Sequence, residues 1–323
     1  RVRWVALFSV FYVAGASGTW LAHPEGFNLL LVLVLFGLGI VGLEFATIFT
    51  NAMLPSLGSR EEVGRISGTG WALGYLGGLV ALVAMLLFFA ENADGVTLLG
   101  TAPPFGLDAA AREGTRLVGP FTALWFVVFM VPFFLWVRDP RRPGAPGVTA
   151  AMRAALPELR TTLRALPSRR SLSAFLLSSM LSRDVLSGFY VFGGVYAAGV
   201  LGWTVVDVGV FGILAVVTAA VAAWIGGVAD SRYGPKPVIV VCVALLTVLA
   251  TAVVFVSREA VFGFPVAPGS SVPDIAFYVL GAGIGAAGGA MQSSSRSMMC
   301  RLAPEANMTE AFGLYALAGK ATS

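Results

Sequence analysis

The sequence is short of charge, of histidine and of cysteine. Of its 323 residues, 12% are charged and 57% are hydrophobic, whereas a soluble domain carries about 25% charged residues. So few polar side chains cannot cover a globular surface in water, which excludes an ordinary soluble protein. The single histidine, His23, and the two cysteines, Cys242 and Cys300, have no metal-ligand or redox spacing. We therefore expect no metal, no cofactor and no disulfide framework.

Motifs of membrane-embedded enzymes and channels are also missing. The chain has no HExxH, no GxSxG, no phosphate-binding glycine loop and no ring-forming filter motif. We therefore expect a membrane protein that is not an enzyme. Its expected partner is the lipid bilayer, and we expect a monomer that binds no nucleic acid.

Long apolar runs are what the chain has instead. A membrane-spanning helix needs about 20 apolar residues, and eight runs meet this requirement, with a ninth beginning near Thr309. The composition and these runs predict an all-α integral membrane protein. The eight runs are 4–22, 27–50, 67–90, 117–137, 172–199, 206–229, 237–257 and 275–295.

The connections between the runs alternate in basic charge. Sixteen of the 21 lysines and arginines fall in one set of connections, three in the other set and two inside runs. The positive-inside rule places the basic set, including Arg1 and the longest connection, in the cytoplasm. Scarce lysine beside abundant alanine, glycine, valine and arginine is typical of a GC-rich bacterial genome, so we expect the cell inner membrane.

The longest connection, 138–171, divides the chain into a partial four-span bundle, 1–137, and a second bundle, 172–323, of four spans and the start of a fifth. This basic linker is either a solvated loop or an amphipathic helix on anionic lipid. The chain begins without methionine and stops within a helical pattern, so we expect a fragment.

A weak internal repeat supports two pseudo-symmetric halves. Residues 55–70 align without gaps on residues 304–319 when the chain is shifted by about 249 positions, and both segments lead into a span. This is the pattern of parallel repeats related by an axis along the membrane normal. The matched pairs are Pro55 with Pro304, Glu61 with Glu310, Gly64 with Gly313 and Gly70 with Gly319.

Two runs of glycines recur every four residues and therefore share one helix face each. In lipid, small residues permit the close backbone approach that packs one helix on another. We expect tight helix packing on these faces, either static or along a moving seam. Trp71 and Tyr75, on the opposite flank of the first run, would line a cavity or face lipid. The two sets are Gly70, Gly74 and Gly78, and Gly281, Gly285 and Gly289.

Ionisable residues inside spans are costly and mark functional sites by default, because a charge at the bilayer centre costs about 2.5–3.5 kcal/mol. Each of them could equally form a static contact between helices. We expect them, with two polar neighbours on the same helix faces, to line the pathway of substrate and protons. They are Glu44 with Asn51, Arg183 and Asp184 with Tyr190, and Lys320.

The segment "GGVADSRYGPK", 226–236, resembles the signature loop of the major facilitator superfamily, although it carries one extra residue and a proline in place of an arginine. The resemblance implies a cytoplasmic gate in which the aspartate caps or pairs, and Arg232 lies near it for pairing. The matching residues are Gly226, Asp230, Arg232, Gly234 and Lys236.

Longer stretches, "TNAMLPSLGSREEVGRISGTGWALGYLGG" and "QSSSRSMMCRLAPEANMTEAFGLYALAGKATS", resemble the branch of autophagy-related vacuolar amino-acid effluxers and their bacterial relatives. The resemblance implies a twelve-span, two-bundle fold of which this chain covers the third to tenth spans and the start of the eleventh. It also implies a secondary transporter that exports amino acids or similar small solutes by alternating access, with proton coupling suggested by Glu44 and Asp184. A different solute class, such as a drug or a sugar, and a non-transporting receptor or assembly protein are the alternatives.

Overall fold

The computed structural model describes residues 1–92, 94–138 and 148–320, and these residues are mostly helical, with very little strand. Short 3₁₀ turns flank several helices, and one antiparallel hairpin pairs Ala260 with Pro265 and Val261 with Phe264. The elements are α1 Val2–Gly18, α2 Leu29–Asn51, α3 Val63–Phe88, α4 Glu113–Arg116, α5 Val118–Trp136, α6 Val148–Ala165, α7 Arg170–Val200, α8 Val205–Tyr233, α9 Pro235–Val253, β1 Ala260–Val261, β2 Phe264–Pro265, α10 Val272–Leu302 and α11 Met308–Ala318.

Seven helical segments of the described chain are long and apolar enough to cross a membrane. They match seven of the eight predicted runs and confirm the all-α membrane class. The remaining run is α7, which has 31 residues and is about 46 Å long at 1.5 Å per residue. This helix is long enough to cross a membrane, but Arg183, Asp184 and several serines make it less hydrophobic than the other spans. The seven segments are Val2–Leu21, Leu29–Ser56, Val63–Phe88, Glu113–Trp136, Val206–Tyr233, Pro235–Val253 and Val272–Leu302.

Local sequence signals set the ends of α8. Thr204 and Asp207 form a capping box, in which the Thr204 amide donates to the Asp207 carboxylate at 2.9 Å. At the other end, Gly234 has φ 85°, a conformation that favours glycine, and its amide donates to the Asp230 carbonyl at 2.8 Å. Pro235 then begins α9 at a position where no amide hydrogen is needed.

Contacts group the chain into two compact units, Arg1–Asn51 with Gly78–Val148, and Ala52–Gly77 with Thr149–Ser323. The division predicted from the sequence follows the long connection instead. The two units differ from the predicted division because the first half of α3 packs on α8. At this crossing, a Cβ at Gly68 would strike the main chain of Ala223 and Gly227. Part of the predicted linker, 139–147, lies outside the described residues.

In the first unit, α1 packs along α2 and α5. A Cβ at Gly42 of α2 would lie 2.6 Å from the Phe8 carbonyl oxygen of α1, and the rings of Phe8 and Phe45 stack at 4.7 Å. The buried Arg116 donates to the main-chain oxygen of Trp20 and lies 2.8 Å from Nε2 of His23. The histidine thus belongs to a loop tied to α4.

In the second unit, α10 is the most buried of the candidate spans, and α8 and α9 pack along it. The glycines predicted to pack on α10 face α8. A Cβ at Gly281 would strike the Phe211 ring, and at Gly285 and Gly289 it would strike the carbonyl oxygens of Ala215 and Ala219. Small residues therefore set the α8–α10 distance, as expected for helices in lipid.

Candidate functional site

An aromatic cavity lies in the second unit, among α3, α7, α8 and α10. Its volume is ≈ 450 Å³, within the range of about 300–1,000 Å³ typical of small-molecule pockets. It is the larger of the two cavities described here in this unit. Six aromatic side chains line it: Trp71, Tyr75, Phe189, Tyr190, Phe211 and Phe277.

Glycines create the space between these rings. Gly193 and Gly194 of α7 and Gly212 of α8 line the cavity, as do Gly281 and Gly285 of α10. Because these positions carry no side chain, the helices approach closely while the cavity stays open. Replacing them would fill the cavity or push the helices apart.

Few polar groups reach the cavity. Gln292 donates from Nε2 to the Tyr75 hydroxyl at 3.0 Å, and Tyr190 contributes a second hydroxyl. The Trp71 indole nitrogen is buried and has no hydrogen-bond partner in the described part of the chain. None of the described lining residues is charged. Such a cavity suits a solute with an apolar body and a few hydrogen-bonding groups.

A half-buried arginine, Arg296, lies behind the wall of the cavity. The Arg296 guanidinium carbon is 6.0 Å from the centroid of the Trp71 ring. Arg296 donates from Nε to the Ser67 hydroxyl at 2.9 Å and from Nη2 to the Ser67 carbonyl at 2.8 Å. The predicted run 275–295 ends one residue before Arg296, but Arg296 lies inside α10 because the helix continues to Leu302.

A polar network joins α3, α8 and α10 at the end of the second unit that carries Arg60, Arg232 and Arg301, which we call the basic end. Asp230 of α8 is fully buried, and its carboxylate lies 3.5 Å from Nη2 of Arg301 on α10. A Cβ at Gly64 of α3 would lie 2.7 Å from the Asp230 carboxyl carbon. The carboxylate is therefore enclosed by all three helices.

Further hydrogen bonds hold α3 in this network. The Ser67 hydroxyl donates to the Ser293 carbonyl at 2.7 Å, and the Arg65 amide donates to the Ser231 hydroxyl at 2.9 Å. Arg60 reaches the main-chain oxygen at the end of α10 at 3.4 Å. The first half of α3 can leave α8 and α10 only if these bonds break.

The predicted gate motif divides into a buried and an exposed part. Gly226 faces α10, where a Cβ would lie 2.8 Å from that of Ala290, and Gly234 forms the turn between α8 and α9. Arg232 and Lys236 are exposed, and in the described chain neither pairs with Asp230. Asp230 therefore pairs with Arg301 and not with its near neighbour Arg232, whose side chain is exposed.

The predicted pathway residues do not all meet. Tyr190 lines the aromatic cavity. Arg183 lies over the Tyr315 ring of α11, with its guanidinium carbon 3.7 Å from the ring centroid, and donates to the Tyr315 carbonyl at 3.2 Å. A narrow polar pocket beside Arg183 contains Ser178 and Ser182, and Gln292 lines both this pocket and the aromatic cavity.

The other pathway residues stay predictions. Asp184 is half-buried on α7. Glu44 and Asn51 are half-buried on α2 and belong to the first unit. Lys320 follows the last turn of α11 and is exposed.

The glycine face predicted on α3 is displaced along the helix. In the described chain, a Cβ at Gly74 or Gly78 would meet no heavy atom within 4 Å, and one at Gly70 would lie 3.1 Å from Nη2 of Arg296. The close approach to α8 lies earlier, at Gly64 and Gly68. Gly64 and Gly68 have the same four-residue spacing as Gly70, Gly74 and Gly78, so spacing alone could not show which set packs on α8.

Ser67, Gln292 and Arg301 are among the residues of the site that sequence reasoning missed. A usable signal existed for Gln292, because it follows Gly281 and Gly285 at helical spacing and continues their face towards Arg296. No comparable signal marked Ser67 or Arg301, which interact with residues more than 70 positions away.

Comparison with known proteins places these features in context. Residues 58–323 match the family described as "Vacuole effluxer Atg22 like". The chain is 22% identical to the MFS-type transporter YxiO of Bacillus subtilis (strain 168), over 98% of this chain and 68% of that protein. It is 25% identical to autophagy-related protein 22 of Coccidioides immitis (strain RS), over 80% of this chain and 42% of that protein.

Proposed function

The chain belongs to the Atg22-like vacuole effluxer family, a membrane transporter family of the major-facilitator type, and we propose that it exports amino acids or similar small solutes by alternating access. The aromatic cavity carries this proposal. It lies among helices long enough to span a membrane, and it is the size of a small-molecule site. Its rings suit the apolar part of a solute, and Tyr75, Tyr190 and Gln292 offer hydrogen bonds to its polar part.

The polar network at the basic end would act as the gate on that side. With α3 held on α8 and α10, solute could not leave past Asp230 and Ser67. Opening would separate the first half of α3 from these helices and break the bonds around both residues. By the positive-inside rule this end faces the cytoplasm of a bacterial inner membrane.

Proton coupling is the second part of the proposal. We propose Glu44 and Asp184 as the titrating groups, because intramembrane carboxylates often serve in proton relays. Asp184 lies on α7, the helix that also contributes Tyr190 to the cavity.

The test uses the full-length protein in liposomes with a mixture of labelled amino acids, with and without a pH gradient. We expect gradient-dependent flux that is lost in Asp184→Asn and kept in Asp94→Asn, an exposed aspartate of a connection. Full pH dependence in a Glu44→Gln, Asp184→Asn double variant would contradict proton coupling. If no amino acid moves but an apolar drug-like solute does, the solute class is wrong and the transporter assignment stands.

A further inference from the structure

The connecting helix α6 carries an arginine stripe on one face. Arg153, Arg160 and Arg164 are all exposed. At about 100° per residue, these positions fall within about 40° of one another. In the described part of the chain, no ion pair or hydrogen bond holds any of the three. The stripe is therefore available to an anionic partner.

The opposite face of α6 contacts the rest of the second unit. The Thr162 hydroxyl donates to the carboxylate of Glu310 in the first turn of α11. Thr162 lies about 160–180° around the helix from the arginine stripe. Glu158, the only acidic residue of α6, lies about 40° from Thr162. Because the Thr162 side of α6 faces the protein, the three arginines face away from it. Glu158 lies on the Thr162 side and not beside the arginines.

The position of α6 along the chain places it beside the membrane. Only the 3₁₀ turn Leu166–Ser168 and Arg169 separate it from α7, which we treat as a span because of its length and its exposed apolar side chains. Leu159 and the 46%-exposed Leu163 lie between the Thr162 contact and the arginine stripe. A helix in the membrane interface places its basic side chains at the border of such an apolar strip.

We propose that α6 lies on the membrane surface and that its Arg153, Arg160 and Arg164 bind the phosphates of anionic phospholipid headgroups. The whole connection, 138–171, contains eight arginines and two acidic residues, so its charge complements an anionic leaflet. Guanidinium groups bind phosphate through paired hydrogen bonds. The proposal requires that the chain spans a membrane, but not that amino acids are its solute.

The test measures binding of phosphatidylglycerol to the full-length protein in phosphatidylcholine nanodiscs, by native mass spectrometry. Each basic residue near an anionic surface contributes about 1 kcal/mol, so Arg160→Gln with Arg164→Gln should weaken binding about thirty-fold. The matched control removes two exposed arginines outside this connection, Arg3→Gln with Arg232→Gln, and should change binding little. Arg160→Lys with Arg164→Lys keeps the charge but loses the paired hydrogen bonds, so binding should fall less than in the glutamine pair.

Three results would overturn the proposal. The first is equal binding of phosphatidylglycerol and phosphatidylcholine by the wild-type protein. The second is equal loss in both glutamine pairs, which would indicate a general charge effect. The third is full displacement of the lipid by millimolar inorganic phosphate, which would indicate a site for a soluble anion.

Discussion

Gly68→Ala should separate α3 from α8, whereas Gly74→Ala, the same change less than two turns later, should not. A Cβ at Gly68 would lie 2.7 Å from Cα of Gly227 and would strike the Ala223 carbonyl oxygen. Carbon atoms pack best at about 3.5–4.0 Å, so the helices must move apart by about 1 Å. In the described chain, a Cβ at Gly74 would meet no heavy atom within 4 Å.

The expected free-energy changes have opposite signs. Overpacking costs about 1–3 kcal/mol, and Gly68→Ala should reach the upper part of that range because its neighbours are backbone atoms that cannot rotate away. The shift would also strain the Ser67 bonds one residue earlier. Gly74→Ala should be neutral or stabilise by up to about 1 kcal/mol, because alanine favours a helix over glycine.

The assay is thermal unfolding of both variants in the same detergent, followed by solute flux in liposomes. We expect a lower midpoint for Gly68→Ala than for the wild type, and an unchanged or higher midpoint for Gly74→Ala. Flux should change in Gly68→Ala, because the loosened contact belongs to the proposed gate. Equal midpoints for the two variants would refute the close crossing of α3 and α8.

Three further substitutions test other parts of the site. Tyr75→Phe removes the hydroxyl that accepts from the Gln292 amide and should lower the unfolding free energy by about 1 kcal/mol; loss of one solute hydrogen bond of similar strength at the same hydroxyl should raise the KM about five-fold. Arg301→Gln leaves the buried Asp230 carboxylate without its ion pair and should cost about 2 kcal/mol of unfolding free energy, somewhat below a fully buried pair. Hydrogen bonds from the Ser59 amide and hydroxyl lower the pKa of the Glu62 carboxyl, so Glu62→Gln should lower stability slightly at neutral pH. That difference is fully present above the unfolded pKa of about 4.3 and is lost as the pH falls through the lower folded pKa.

Each of these variants has an exposed counterpart as its control. Tyr233→Phe removes a hydroxyl outside the cavity, Arg232→Gln removes a cation that does not pair with Asp230, and Glu61→Gln changes the neighbouring carboxylate. Unfolding midpoints and flux, measured side by side, should separate each variant from its control. If a variant and its control behave alike, the contact assigned to the substituted residue is contradicted.

The sequence alone determined the membrane class and most helix bounds. Apolar runs of sufficient length leave the backbone no alternative to helix in lipid, and the predicted run 27–50 became α2, Leu29–Asn51. It also predicted a connection between the runs 206–229 and 237–257, and the structure places the break there, at Gly234 and Pro235, two residues that act through their own backbone geometry. These signals are local, so no knowledge of neighbouring helices was needed.

Tertiary structure decided which side chains meet. Spacing predicted a packing face at Gly70, Gly74 and Gly78, but the helix crossing brings Gly64 and Gly68 against α8 instead. Likewise Asp230 has a basic neighbour in the sequence, yet it pairs with Arg301, 71 residues away. The aromatic cavity also depends on helix packing. Its rings come from four helices and enclose a common space only after those helices pack. Helical periodicity fixes the face on which a residue lies, and the packing of the helices fixes what that face contacts.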